Sequence, residues 1–294
     1  MTIALDIPAT RPGAERHSAV RFVLRLFREK PLGAAGGVIF VLFLLCGLFA
    51  DVLAPYGMNQ ISPRTRLMAP SWAHWFGTDN LGRDMLSRCL YGAQISVIIA
   101  FTTATLATAV SIVVGILTGY LGGKFDLIVQ RFVDGWMSFP DLIILLVVVS
   151  VLGPGLPQII FTLALLLGIA GSRIIRSAVV SVRENMYVHA AQSIGASTGR
   201  ILWRHILPNI MPPIIVLFTT RVGVVILIES ALSFLGLGDP NVMSWGFMIG
   251  AGRTFLRSAW WLCTIPGVVI LLTVLAINLV GEGLNDALNP RVRR

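Results

Sequence analysis

Long uncharged runs alternate with short charged segments along the chain. Four stretches carry no Asp, Glu, Lys or Arg over 20, 35, 31 and 24 residues. A transmembrane helix needs about 20 apolar residues to cross a hydrocarbon core of about 30 Å. Each stretch is therefore long enough to span a membrane. The four stretches are residues 31–50, 89–123, 142–172 and 258–281.

The third run is predicted to hold two spans, because Gly153-Pro154-Gly155-Leu156-Pro157 cannot continue a helix. A further apolar run follows Pro213 and is interrupted by Arg221 and Glu229. The pattern therefore predicts six transmembrane helices, and an even number places both termini on the same side of the membrane. The predicted spans are residues 33–52, 94–119, 132–152, 158–176, 210–233 and 262–282.

Composition supports an all-α integral membrane protein. Of the 294 residues, 55% are hydrophobic and 13% are charged, and the mean hydropathy is +0.82. Soluble domains carry about 25% charged residues. With both termini in the cytoplasm, 16 of the 23 Lys and Arg residues lie in inner segments and six in outer loops. This bias predicts cytoplasmic termini, and it explains the net charge of +9 without a nucleic acid.

A polar stretch at residues 184–208, which we call the polar hairpin, interrupts the apolar pattern. Tyr187, Ala190, Ala191 and Ile194 recur at the spacing of one helix face. Gly195 then supplies a bend, Ser197 or Thr198 can cap a second helix, and Pro208 is predicted to close that helix. A helix, a bend and a helix can insert into a groove on a partner. The alternative is an ordinary loop helix lying on its own protein.

The polar hairpin resembles the signature of the inner-membrane permease subunits of binding-protein-dependent ABC importers. His189 stands where a Glu is usual and His205 where an Ile is usual, with Ile206 next to it. The resemblance implies a type I importer permease fold in which this loop is a coupling helix seated on a separate ATPase subunit. The positions that match the signature at its spacing are Ala190, Ala191, Gly195, Leu207 and Pro208.

A second motif lies in the segment predicted to be extracytoplasmic, residues 53–92. Its glycines and aspartates are typical of turns, and Arg83 is expected to pair with a neighbouring carboxylate. Residues 76–88, together with residues 233–238, resemble the dipeptide, oligopeptide and nickel branch of these permeases, in the second of its two paired subunits. The resemblance covers residues 20–290. The residues that carry the motif include Gly77, Asp79, Gly82, Arg83 and Asp84.

Four residues inside or beside the predicted spans are candidates for the translocation pathway or for a subunit interface. Arg221 and Glu229 are eight residues apart, about 12 Å along a helix, which is too far for direct pairing. Ionisable groups within a span are functional candidates, and the alternative is an interhelical ion pair at a dimer interface. Asp134 lies in a polar cluster at the inner boundary, where Pro140 either bends the helix or starts it.

The sequence does not support catalysis by this chain. Gly122-Gly123-Lys124 is followed by Phe125 and is not preceded by the glycine of a nucleotide-binding loop. Nothing in residues 53–92 assembles a nucleophile with a base, and Arg221 and Glu229 alone do not supply such a pair. Cys46, Cys89 and Cys263 have no metal-ligand spacing. Cys89 and Cys263 are both expected near the outer face, where they either form a disulfide or stay unpaired.

The resemblance also implies the partners and the cargo. We expect a second homologous permease, two ABC ATPases that bind ATP and Mg, an extracytoplasmic binding protein, and a location in the bacterial inner membrane. Peptides are the first candidate for cargo, followed by nickel chelates, glutathione-like thiols and oligosaccharides. A secondary transporter driven by an ion gradient and an intramembrane enzyme are the alternatives from other classes. The predicted organisation is an amphipathic segment 1–32, a first span 33–52, an outer segment 53–92, a five-helix core 93–283 with its coupling loop at 184–208, and a tail 284–294.

Overall fold

The computed structural model describes residues 31–288, and the side chains up to residue 285. Almost all of the predicted amphipathic segment 1–32 and the end of the tail 284–294 lie outside this range. The described chain is helical and contains no strand, only an isolated bridge between Thr78 and Asp84. Its helices are α1 (Pro31–Leu48), α2 (Ala50–Leu53), α3 (Met85–Leu121), α4 (Gly123–Met137), α5 (Asp141–Leu152), α6 (Leu156–Arg183), α7 (Met186–Ser193), α8 (Thr198–Ile201), α9 (Met211–Phe234), α10 (Trp245–Gly252) and α11 (Trp261–Leu288).

Five helical runs in the described chain are long and apolar enough to cross a membrane, and a bent pair of helices makes a sixth. The number of spans therefore matches the sequence prediction, but several limits differ. The second span is part of a helix that begins at Met85, not at residue 94, and the fifth belongs to a helical run that begins at Thr198. The span predicted at residues 132–152 is broken, because α4 and α5 meet there at a 77° bend.

The bend between α4 and α5, which we call the elbow, follows from Pro140. Proline has no N–H to donate and disfavours helical backbone at the residue before it. Accordingly α4 ends at Met137, Pro140 adopts extended backbone, and α5 starts at Asp141. The structure thus favours Pro140 as a helix start, and the chain turns sharply between the two helices.

The two ends of the bundle, the loop end and the hairpin end, are named after the segments that lie there. Residues 54–84 and 235–260 lie at the loop end, where the indole nitrogen of Trp261 donates to the Thr78 carbonyl at 3.1 Å. The polar hairpin lies at the opposite, hairpin end. The spans alternate between the two ends, so α6 starts at the loop end and finishes directly before the hairpin.

Glycines bring the longest helices into close contact. A Cβ on Gly115 would lie 2.7 Å from the Ile175 Cβ, and one on Gly119 would lie 2.8 Å from the Val179 Cβ. The four-residue spacing lets α3 and α6 approach along one stripe, as small residues do in membrane helix pairs. The Ser111 hydroxyl adds a hydrogen bond across the pair, donating to the Gly168 carbonyl at 2.6 Å. This pair is the rigid centre of the bundle.

The helical run after α8 continues through Pro208, so the prediction that Pro208 closes the second helix is wrong. A π-helical turn (Leu202–Ile206) and a 3-10 turn (Leu207–Ile210) connect α8 to α9 without leaving helical backbone. Proline removes a backbone donor, and the chain accommodates this loss by changing its hydrogen-bond register rather than by unwinding. The second arm of the hairpin is therefore continuous with a membrane span.

Candidate coupling site and polar clusters

The first arm of the polar hairpin, α7, packs on its own protein through one narrow edge. Val188 is fully buried and Ala191 is nearly so, in an apolar cluster with Ile175 and Val179 of α6. The Asn185 side-chain amide donates to the Val182 carbonyl at 3.0 Å and so fixes the start of α7 against the end of α6. The hairpin is therefore held rigidly to the bundle at this edge.

Gly195 makes the bend, as the sequence predicts. Its φ is +76°, a left-handed conformation that side chains other than glycine adopt at a cost. The Gly195 N–H donates to the Gln192 carbonyl at 2.9 Å, and the Ala196 N–H donates to the Ala191 carbonyl at 3.0 Å. This pair of bonds is a Schellman motif, which satisfies the last carbonyls of α7. Ser197 precedes α8, but its side chain makes no capping hydrogen bond.

The other face of the hairpin exposes apolar side chains to the surroundings. Ile194 is 85% exposed and Met186 is 88% exposed, while Tyr187, Ala190 and Trp203 are also exposed. Of the helix face predicted from the sequence, only Ala191 packs inward, and Val188 takes the buried position beside it. Isolated exposed hydrophobic residues are common, but a group of large ones on one short element marks an interaction site.

The remaining motif positions surround this exposed face. The Tyr187 and His205 rings lie 6.3 Å apart and connect the two arms of the hairpin. His189 is exposed, and its Nε2 lies 4.0 Å from a carboxylate oxygen of Glu184. A carboxylate is thus present one turn away from the position where the signature has Glu. Leu207 is half-buried and Pro208 is exposed.

The hairpin is joined to the centre of the bundle by Arg183 at the end of α6. Its guanidinium donates to the Tyr120 carbonyl at 2.9 Å, at the C-terminus of α3. Exposed carbonyls at a helix C-terminus carry partial negative charge and favour such a cation. A force on the hairpin is therefore applied to α6, α9 and the end of α3 together.

Arg221 lies in the interior of the bundle and is 4% exposed. Its guanidinium donates to the Ser111 hydroxyl at 2.8 Å, to the Thr108 hydroxyl at 3.3 Å and to the Leu167 carbonyl. It therefore bridges α3, α6 and α9. Within residues 31–288 no carboxylate pairs with it, so its charge is stabilised by hydroxyl and carbonyl dipoles.

Glu229 is also buried, at 5% exposure, but between α9 and α10. Its carboxylate accepts hydrogen bonds from the Ser233 hydroxyl at 2.9 Å and from the Ser244 hydroxyl at 2.7 Å. Neither Arg221 nor Glu229 forms an ion pair in the described chain. Both side chains are buried inside this chain's own bundle, where they connect helices, and neither is on its surface.

Asp134 has a different setting, since it is on the outside of the elbow. It pairs with Arg173 of α6, and its second oxygen lies 3.7 Å from Arg131. Pro140 is exposed at the start of α5. Of the four residues proposed for a pathway or an interface, these two are at the surface.

The motif at the loop end forms a compact hydrogen-bonded turn. Asp79 accepts from the Leu81 and Arg83 backbone N–H groups at 2.8 and 2.9 Å, and from the Arg83 side chain at 2.6 Å. The expected pairing of Arg83 with a carboxylate is confirmed. Arg88 is buried beside them, with its Nε 3.7 Å from Asp79.

Asp84 caps the N-terminus of α3. It accepts from the Ser87 backbone N–H at 2.8 Å, and its other oxygen lies 2.9 Å from the His74 ring nitrogen. Gly82 has a φ of +76°, and a Cβ there would lie 1.8 Å from the Ser62 carbonyl oxygen. The motif residues therefore shape the entry into α3, and they do not assemble a nucleophile with a base.

Metal and disulfide chemistry find no support in the described residues. No group of three His, Cys, Asp or Glu side chains there could hold a metal ion. Cys46, Cys89 and Cys263 are free thiols, so of the two alternatives for Cys89 and Cys263 the structure has the unpaired one.

Comparison with known proteins decides the family. Residues 111–294 match the family described as the binding-protein-dependent transport system inner membrane component. The chain belongs to this family. Residues 18–70 match a second description, the N-terminal TM domain of oligopeptide transport permease C. The polar hairpin lies within residues 111–294, which match the broad family. The first span lies within residues 18–70, which match the oligopeptide permease description.

Relatives match almost the whole chain. It is 37% identical to the dipeptide transport system permease protein DppC of Alkalihalophilus pseudofirmus, over 97% of this chain and 95% of the relative. It is 36% identical to the probable D,D-dipeptide transport system permease protein DdpC of Escherichia coli, over 99% and 98% of the two chains. A di/tripeptide transport system permease protein of Pseudomonas aeruginosa is 36% identical, over 98% and 97%.

A solved structure supports the fold. A chain of the MetNI methionine ABC transporter in an inward-facing conformation superposes with a TM-score of 0.55 and 17% sequence identity. The match covers 70% of this chain and 98% of that one. The all-α membrane bundle described above is therefore the type I ABC importer permease fold, extended here by further residues.

Proposed function

We propose that this chain is a permease subunit of an ATP-driven importer of di- or oligopeptides, and that the polar hairpin couples it to an ATPase. The observation that carries the proposal is the uncovered apolar face of the hairpin, with Met186 and Ile194 more than four-fifths exposed. This face flanks Ala190 and Gly195, two positions of the resemblance to the permease signature. The peptide cargo rests on the names of relatives that are 36–37% identical over nearly the whole chain.

ATP and Mg bind to two partner ATPase subunits, and this chain itself catalyses no reaction. Closure of the ATPases moves the hairpin, which is continuous with α9 and fixed to α6 by Val188 and Asn185. The bundle then shifts between inward-open and outward-open states, as a rigid body driven by differential contacts. A second homologous permease completes the translocation pathway.

The hairpin end faces the cytoplasm, and both termini lie on that side of the bacterial inner membrane. Sixteen of the 23 Lys and Arg residues belong to the segments on this side, in agreement with the positive-inside rule. The loop end is then extracytoplasmic, where a substrate-binding protein delivers the cargo. ATP is available only on the hairpin side, as coupling requires.

Reconstituted transport tests this proposal. Proteoliposomes holding this chain, the second permease and both ATPases should accumulate a radiolabelled dipeptide when the binding protein is outside and ATP is inside. The matched control carries an ATPase with its catalytic Glu changed to Gln, and its uptake should fall to background. Uptake that persists in this control and follows an ion gradient would contradict the proposal. Competition by unlabelled nickel chelate, glutathione or oligosaccharide then tests the peptide cargo.

A further inference from the structure

The helix that follows the elbow, α5, is too short to cross a membrane on its own. It has 12 residues, which is about 18 Å of helix against a hydrocarbon core of about 30 Å. Its C-terminal end is fixed at the loop end of the bundle. The turn after it leads to Leu156, whose N–H donates to the Asp239 carboxylate at 3.1 Å. The start of α5 therefore lies well inside the membrane.

Packing against α6 supports this depth. Leu145 and Val149 of α5 are buried in one cluster with Ile159 and Leu163 of α6. The two helices run antiparallel from a short turn, so Leu145 and Leu163, each eight residues from the turn, lie at similar depth. About two turns of α5 separate Leu145 from the loop-end boundary, and about one further turn separates the break at residues 138–140 from Leu145.

The chain at this depth is neither helical nor covered. Ser138, Phe139 and Pro140 connect α4 to α5 and are exposed, as is Asp141. Non-helical backbone inside a membrane is stable only where protein covers it or where it lines a cavity filled with water, because lipid offers no hydrogen bonds. This chain does not cover the break, so lipid cannot be its neighbour.

Charges beside the break lead to the same conclusion. The side chains of Asp134 and Arg173 are 48% and 40% exposed although they pair with each other. Charged groups within a span face a bundle interior or a water-filled cavity rather than lipid. A half-exposed ion pair next to an open helix break marks a wet surface.

Three polar groups around this ion pair have no acceptor in the described chain. They are Gln130 Nε2, Trp136 Nε1 and Arg173 Nε, and each atom is itself buried. Buried donors are nearly always satisfied by protein or by water. Because these atoms are buried, they do not face cargo in this conformation, and water that enters beside the Asp134–Arg173 pair is the partner that satisfies them.

We propose that the elbow and the last two turns of α4, residues 130–141, line the water-filled part of the translocation pathway and present the Asp134–Arg173 pair to a polar cargo. This inference rests on the proposed function, because only a transport pathway needs such a surface. It assigns the pathway to the elbow, whereas Arg221 and Glu229 hold the bundle together from inside. The second permease encloses the cavity without filling it.

Cysteine accessibility tests the proposal in the assembled transporter. Cys46, Cys89 and Cys263 are first replaced by Ala, and single cysteines are then placed at Ser138 and Asp141. Leu271, which is exposed on the apolar α11, carries the matched control cysteine. Each variant is reconstituted with its partners, and labelling by a charged, membrane-impermeant methanethiosulfonate is timed with and without ATP. Dipeptide uptake is measured in the same vesicles.

Labelling at residues 138 and 141 should be at least tenfold faster than at residue 271, and a saturating dipeptide should slow it. Rates equal to the Leu271 control would overturn the inference, since they would place the break in lipid. So would fast labelling in the isolated chain that disappears in the complex, since the second permease would then cover the break. Loss of ATP-dependent uptake in the parent protein would refute the proposed function instead, and the labelling rates are read independently of it.

Discussion

The guanidinium of Arg221 occupies the space that a side chain at Gly171 would need. A Cβ built on Gly171 would lie 1.7 Å from Arg221 Nη2 and 2.8 Å from the Ser111 hydroxyl. Because Arg221 also donates to the Leu167 carbonyl, the glycine creates the gap through which one side chain reaches two other helices. Arg221 and Gly171 therefore form a single packing unit.

Gly171→Ala should destabilise the protein although alanine favours helices. The new methyl group must displace a buried guanidinium and break hydrogen bonds to charged donors, each worth about 1.5–3 kcal/mol. We expect the thermal unfolding midpoint in detergent to fall by several degrees, which fluorescence-detected size-exclusion chromatography after heating measures.

Gly267→Ala is the control for that substitution. A Cβ at Gly267 meets no atom within 4 Å, and alanine gains about 1 kcal/mol of helix propensity over glycine. Its midpoint should stay level or rise. Equal midpoints for the two variants would show that Arg221 does not depend on the glycine.

Asp84→Ala should loosen the start of α3. The carboxylate accepts two hydrogen bonds from Ser87 at 2.8 Å each, and loss of an N-cap costs about 1 kcal/mol. His74 also loses its partner. We expect a lower unfolding midpoint and faster protease cleavage within residues 54–84.

Asp84→Ser restores the cap but not the His74 contact, so its midpoint should lie between those of the parent and Asp84→Ala. Asp51→Ala, at an exposed carboxylate, should leave the midpoint unchanged. If Asp84→Ser were as unstable as Asp84→Ala, capping would not be the reason.

Gly195→Val should abolish dipeptide uptake while the chain still inserts into the membrane. A β-branched residue at a φ of +76° costs about 1–2 kcal/mol, which the short α7 can avoid by changing the bend. Gly195→Asn should retain part of the uptake, because Asn tolerates this backbone region better than other residues.

Gly199→Val is the matched change elsewhere in the hairpin. Its backbone is not left-handed, and a Cβ there meets nothing within 4 Å. Uptake by this variant should stay near that of the parent. Normal uptake by Gly195→Val would remove the bend from the coupling mechanism.

Two charges introduced into α7 and its cap should have opposite consequences. Val188→Asp places an unpaired carboxylate in a fully buried site, at a cost of several kcal/mol, so the folded chain should be lost. Ile194→Asp changes an exposed position and should leave folding intact, while co-purification with the ATPase falls at least tenfold. Folded Val188→Asp, or full ATPase binding by Ile194→Asp, would reverse the assignment of the two faces.

The sequence predicted the spans well where charge marks their ends. The runs bounded by Lys30 and Asp51 and by Arg257 and Glu282 each hold one membrane-spanning helix. The sequence left open whether Pro140 bends or starts a helix, because the apolar length of residues 132–152 is the same whether the span is straight or broken at Pro140. The continuation through Pro208 was missed because a π-helical turn has no local sequence signal.

The sequence predicted where the candidate site lies in the chain, but it did not predict which of its side chains pack against the bundle. Gly195 could be identified as the bend from its residue type alone. Val188 packs inward because it contacts the cluster of Ile175 on a separate helix. The helix face of Tyr187 and Ile194 was predicted instead, because these contacts are not visible in the local sequence. The roles of Arg221 were equally hidden, because its partner Ser111 is 110 residues away in the chain. Met186 and Trp203 extend the exposed face and were not singled out, although both flank the signature.

Site-specific photo-crosslinking from residue 194 tests the coupling mechanism most directly. A benzoylphenylalanine replaces Ile194 in the complete transporter, and another replaces Leu271, which is exposed on the apolar α11, as the control. Irradiation should join position 194 to an ATPase subunit, with a yield that changes when ATP binds, and should give no such product from position 271. A transporter that takes up dipeptide normally but shows no ATPase adduct from position 194 would contradict the claim that the polar hairpin contacts the ATPase.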